Sequence, residues 1–138
     1  MKAIILLSIA LICSSTLFAQ YKYACFENEA NKKLQLTVYF QNKKAVLIKY
    51  KGQKKAIPLV YSNTKQTENL NSTPPFYWTE TYFEKKGKKV VGNYVLTNGG
   101  AYELQLTYIN KANQKISFTI IKSTAGDNFN PYRDKPCF

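Results

Sequence analysis

No histidine occurs among the 138 residues, arginine and tryptophan appear once each, as Arg133 and Trp78, and 8 acidic residues face 20 basic ones. Without imidazole, serine and cysteine hydrolase triads lose their usual base, and most zinc and copper sites lose their usual ligand. A single guanidinium excludes an anion clamp built from several arginines. A carboxylate pair for glycoside cleavage must come from Glu27, Glu29, Glu68, Glu80, Glu84, Glu103, Asp127 and Asp134. On one strand, Glu80 and Glu84 would stand about 13 Å apart, beyond either standard separation. Glu80 with Glu103 across a sheet is the pairing that remains. Carboxylates among many lysines more often form surface ion pairs, so no catalytic residue is assigned, and neither a cofactor nor a metal is expected. Asp127-Asn128-Phe129-Asn130 lacks the glycine and terminal glutamate of a calcium-binding EF-hand loop and reads as a turn.

Long apolar runs are also scarce. The one that exists opens the chain: Lys2, then Ala3 through Ile12 almost unbroken, then Leu17-Phe18-Ala19 with a small residue where a signal peptidase would cut. This is the pattern of a secretory signal over residues 1–19. It is too short and too interrupted by Ser8, Ser14, Ser15 and Thr16 to span a bilayer. The mature protein is expected to run from Gln20 to Phe138 as one domain, periplasmic or secreted, monomeric and not membrane-spanning. Lipid anchoring through Cys13 is the rival reading, disfavoured because Ile12 is not a small residue. With cleavage after Ala19, Cys25 and Cys137 remain in a compartment that permits disulfides. Pairing is the default, two separate buried thiols the alternative; closing that loop would remove about 4 to 5 kcal/mol of unfolded-chain entropy.

From Gln20 onward, 19 basic residues against 8 acidic ones give a formal charge of +11. Export argues against a nucleic-acid partner. The lysines gather in expected turns, at Lys43-Lys44, Lys54-Lys55, Lys85-Lys86 and Lys88-Lys89, where they keep hairpin tips and sheet edges soluble. An anionic envelope surface, such as lipopolysaccharide, acidic lipid or teichoic polymer, is the partner that such a charge would suit.

The mature sequence is a series of short segments rich in β-branched and aromatic residues, alternating with polar ones and separated by Asn, Gly and Lys clusters. Lys33 to Gln41 places Leu34, Leu36, Val38 and Phe40 on one face; Lys44 to Lys51 does the same with Val46, Ile48 and Tyr50. Further strands are expected at Tyr21–Glu27, Lys54–Ser62, Phe76–Lys85, Lys89–Thr97, Ala101–Asn110 and Lys115–Lys122. Pro58 should put its strand at an edge or a bulge, and Asn98-Gly99 signals a hairpin turn. Short links force sequential antiparallel neighbours. The expected fold is therefore all-β, a single small antiparallel barrel of about eight strands in an up-and-down meander, with a β-sandwich as the alternative.

Two stretches do not read as regular structure. The tail from Ser123 needs Cys137 to hold it down. The polar run from Ser62 to Pro75 reads as a long loop, and long loops in small domains are often functional. Phe76-Tyr77-Trp78 follows it directly, so the candidate binding residues are Ser62, Asn63, Lys65, Glu68, Asn71, Ser72, Tyr77 and Trp78. Trp78 serves either as the main core aromatic or as a stacking platform for sugar or a lining for an apolar ligand.

Tyr23-Ala24-Cys25 near the start, the Val-x-x-x-Tyr hairpin leading to Leu59, the aromatic strand Phe76-Tyr77-Trp78-Thr79-Glu80 and the C-terminal Cys137 together resemble the small periplasmic inhibitors of c-type lysozyme. The resemblance implies a β-barrel and a non-enzymatic inhibitor that acts through a Ser-Gly loop. Neither Ser62 nor Ser72 is followed by glycine. The functional expectation is an exported non-enzymatic envelope protein that binds a protein or glycan partner through the Ser62–Pro75 stretch. The alternatives are a small barrel carrying an apolar ligand and a basic protein on anionic envelope surfaces.

Overall fold

The computed structural model of the chain describes residues 20–68, 70, 71, 73, 75–99, 102–122 and 130–138. The expected signal segment with Cys13, the candidate binding residue Ser72 and the Asp127-Asn128-Phe129 turn lie outside these residues. Period-two alternation yields eight strands: β1 (Lys22–Asn28), β2 (Gln35–Gln41), β3 (Lys44–Tyr50), β4 (Ile57–Glu68), β5 (Phe76–Lys86), β6 (Lys89–Gly99), β7 (Tyr102–Asn110) and β8 (Lys115–Ile120). Each pairs antiparallel with its neighbour in sequence, and β8 returns to β1 through Phe26↔Ile120 and Asn28↔Phe118. The sheet closes into one barrel rather than dividing into a sandwich. Closure gives every strand a neighbour on both sides, and polar alternate residues face outward.

One face of each strand fills the barrel. Phe26, Leu36, Val38, Ile48, Tyr82, Tyr94, Leu106 and Phe118 are buried in its core. The end carrying the β1–β2, β3–β4, β5–β6 and β7–β8 links is closed by aromatic side chains. Tyr50 and Tyr94 share a hydrogen bond of 3.0 Å, and the Tyr108 ring lies 4.8 Å from that of Tyr94. Gly92 makes room for this packing: a Cβ there would fall within 2.7 Å of the Tyr108 ring and hydroxyl. Burial pushes the hydroxyl pKa values of Tyr50, Tyr94 and Tyr108 up, and the nearby Glu84 carboxylate adds to each.

The strand reading needs three corrections. Ser62 to Glu68 is not loop but the second half of β4, paired with β5 from Asn63↔Thr81 to Glu68↔Phe76. Its polar composition hid it, because these residues extend a hairpin arm past the packed core and have little to bury. Residues 54–56 lie outside β4, which starts at Ile57. The strand expected to end at Thr97 runs on to Gly99, so Asn98-Gly99 closes β6 in the expected β6–β7 hairpin, with Gly99 paired to Tyr102.

Pro58 falls on a strand paired on both sides, yet it marks a weak seam. β3 and β4 pair only at Leu47↔Pro58 and Ile48↔Ile57. A proline offers no backbone N–H to continue a ladder. Beyond it the two strands part and side chains span the gap. The Ala45 N–H donates to the Tyr82 hydroxyl at 3.2 Å, and the Lys44 ammonium lies 4.4 Å over the Tyr61 ring while pairing with Glu80. The bulge expected in this strand falls at Ser62, between Tyr61 and Asn63.

Cys25 and Cys137 form a disulfide that closes a sequence separation of 112 residues. The tail is pinned twice more on the way. Tyr23 and Arg133 exchange two backbone hydrogen bonds of 2.9 and 2.7 Å, and the Arg133 guanidinium donates to the Ile121 carbonyl at 2.7 Å. The tail therefore supplies a short bridge along the part of β1 that β8 does not reach.

Candidate functional site

The barrel end opposite the tyrosine cluster is open. It carries the β2–β3 turn, the β4–β5 and β6–β7 connections and the N-terminal end of the described chain. A cavity of about 520 Å³ enters the barrel here. Strand order fixes how deep each lining residue sits. Phe40 and Leu96 come from the packed part of β2 and β6 and form the floor. One step further out, Trp78 of β5 and Tyr132 of the tail form walls, with Thr64 of β4 in register with Glu80. Asn42, Lys43, Lys22, Gln20 and Asn98 make the rim. Among the described residues no group of acidic or cysteine side chains is arranged to hold a metal.

The two aromatic walls are set by different means. Trp78 stands on Gly99, where a Cβ would meet the indole ring at 2.9 Å and where the backbone takes a φ of +100°. Glycine permits both the close approach and the left-handed backbone. Tyr132 is brought in by the disulfide-anchored tail and meets Phe40 edge to face. Burial raises the pKa of the Tyr132 hydroxyl, and the nearby Glu80 carboxylate raises it further.

Glu80 is the one carboxylate among the described residues that line the cavity. It accepts a hydrogen bond of 2.5 Å from the Tyr82 hydroxyl and forms an ion pair with Lys44. Burial first, and then this hydrogen bond, push the Tyr82 pKa far up, so the phenol stays a donor. Lys22, on the rim, pairs with Asp134 of the tail. The expectation that Glu80 and Glu103 could meet across the sheet is overturned. Glu80 lies on the inner face of β5, whereas Glu103 of β7 is exposed and pairs with Lys122. Opposite faces of a closed sheet cannot form a carboxylate pair.

Of the described residues among those proposed from the sequence, only Trp78 lines the cavity. Asn63, Lys65 and Tyr77 lie on β4 and β5 in register with Thr81, Thr79 and Thr67. Alternation puts them on the face opposite Thr64, Trp78 and Glu80. Ser62 sits at the bulge, Glu68 ends β4 opposite Phe76, and Asn71 is exposed in the following turn. Sequence reading missed Phe40, Leu96, Glu80, Lys43 and Tyr132. One signal was available: the inward alternation of β2 and β6 passes from apolar to polar towards the same barrel end, Phe40 to Asn42 and Leu96 to Asn98. Nothing in the sequence pointed to Tyr132, which reaches the cavity only because the tail folds back. No protein-family model, no curated protein and no solved structure matches the chain.

Proposed function

We propose that this protein is a non-enzymatic, exported binding protein whose barrel holds one small, mainly apolar molecule in its open end. The cavity carries this reading: its 520 Å³ lies within the range of about 300 to 1,000 Å³ usual for small-molecule sites, and its deep part is apolar. Phe40, Leu96, Trp78 and Tyr132 offer area to an apolar body, while Asn98, Thr64 and the Glu80–Lys44 pair offer a few oriented polar groups. The closed tyrosine end makes the site a blind pocket rather than a channel. Trp78 is the only tryptophan, so its fluorescence reports this site alone. Titration with a hydrophobic probe should change that emission saturably, and native mass spectrometry of protein from its producing cells should show a bound small molecule. Unaltered emission together with ligand-free protein would overturn the reading.

A macromolecular partner on the β4–β5 arm is the second reading, favoured by the apolar side chains exposed there: Leu70 at 81%, Phe76 and Trp78. Its sharpest form is inhibition of a c-type lysozyme. A turbidity assay of bacterial lysis checks it, and undiminished lysis with the protein in excess over lysozyme would remove that form.

A further inference from the structure

We propose that the ligand is a monomeric amphipathic anion, an apolar body bearing one carboxylate-type headgroup, and that Lys43 receives the headgroup. This rests on reading the open-end cavity as a ligand site. Lys22 and Lys43 line that cavity, and Lys44 pairs with its Glu80. Lys22 is paired with Asp134 and Lys44 with Glu80, whereas Lys43 has no ion-pair partner among the described residues. Glu80 and Asp134 are thus matched, and among the described residues that line the cavity the uncompensated charge is positive. A cationic ligand would meet this charge and the overall excess of basic residues. A neutral one would leave Lys43 without a role.

The backbone supplies an independent observation. Asn42 and Lys43 form the two-residue β2–β3 turn with φ values of 51° and 65°. A turn of this kind favours Asn-Gly, because glycine takes a left-handed backbone without steric cost. The first position has the expected asparagine; the second has a lysine held in a conformation that does not suit it, at the rim of the cavity. Strain of this kind gathers at binding sites. An ammonium on a flexible stem suits a single compact anionic head. The floor of Phe40 and Leu96 stops the cavity within the barrel, so a molecule with one apolar chain fits better than a lipid with two.

Trp78 emission can be titrated with decanoate, decanol and decylamine, all below micelle-forming concentrations. Decanoate should bind most tightly and decylamine most weakly. Lys43→Gly should weaken decanoate binding roughly tenfold, as expected for one charge-assisted contact, and the preference for decanoate over decanol should collapse. Glycine fits the turn, so the urea midpoint should hold or rise, which separates lost binding from lost folding. Lys88→Gln, in the β5–β6 turn at the closed end, controls for net charge and should leave the preference intact. Equal affinities for decanoate and decanol, or unchanged decanoate binding in Lys43→Gly, would overturn the headgroup assignment while the cavity reading stood. Emission that none of the three compounds alters would overturn both. A response to phosphatidylglycerol vesicles without one to decanoate would overturn the proposal in favour of an anionic surface.

Discussion

Tyr132, carried by the C-terminal tail, meets Phe40 of β2 edge to face, with ring centroids 5.2 Å apart and planes at 88°. A tail residue thereby walls the cavity whose floor is a strand residue. The Cys25–Cys137 bond that fixes the tail is thus coupled to the site as well as to stability.

Replacing that bond by Cys25→Ser with Cys137→Ser should lower stability by about 4 to 5 kcal/mol, the chain-entropy estimate for a loop of this size. Urea unfolding measures it. The Arg133–Tyr23 bridge should then hold the tail only transiently. Brief proteolysis of the folded variant should clip the tail first, and its affinity for decanoate should fall with Tyr132 displaced.

Tyr82→Phe removes one hydroxyl with two partners. It takes the donor from Glu80 and the acceptor from the Ala45 N–H, at the seam where β3 and β4 part after Pro58. Leaving buried polar groups unpaired costs about 1 to 3 kcal/mol, visible as a lowered urea midpoint. Hydrogen exchange should quicken at Ala45 more than at Val38, whose residue pairs in register with both Ala24 and Ile48.

Glu84 has its pKa raised by burial on the inner face of β5, and no cation pairs with it among the described residues. For a carboxyl whose folded pKa exceeds its unfolded value of about 4.3, the stabilising contribution is complete below that value and is lost as pH rises through the folded pKa. Glu84→Gln should therefore stabilise the barrel near neutrality. The gain should be no more than about 1 kcal/mol, since water reaches part of the carboxyl, and it should vanish in acid. Urea midpoints of both proteins from pH 3 to 8, in steps of about one unit, measure the crossing.

Two glycines should respond differently to alanine. Gly92→Ala drives a methyl into the Tyr108 ring at the closed end and should cost about 1 to 3 kcal/mol without altering ligand binding. Gly99→Ala strains a left-handed backbone and pushes on the Trp78 indole. Its mark should be a shifted Trp78 emission maximum and weaker ligand binding, measured by the same fluorescence titration.

Where strands bury one face, alternation in the sequence revealed them. Leu36, Val38 and Phe40 of β2, or Leu104 and Leu106 of β7, carry a period that has one structural solution. The second half of β4 carries no such period, because Thr64 to Glu68 pair with β5 above the core and their face is not filled with apolar residues. Composition reports burial, and a strand without burial looks like a loop. The same limit displaced the candidate site onto a stretch whose side chains mostly face away from the cavity.

By itself, the sequence determined the all-β class, eight strands in meander order and a terminal cysteine pair, because local periodicity and short links leave few other arrangements. Only the tertiary structure decided that the bond places Tyr132 against Phe40, and that Pro58 opens a seam closed by Lys44, Glu80 and Tyr82. It alone showed that Trp78 lines a cavity instead of filling the core. Those outcomes depend on strand stagger around a closed barrel and on where a folded-back tail lands. Both join residues far apart in the chain, and no local pattern encodes them.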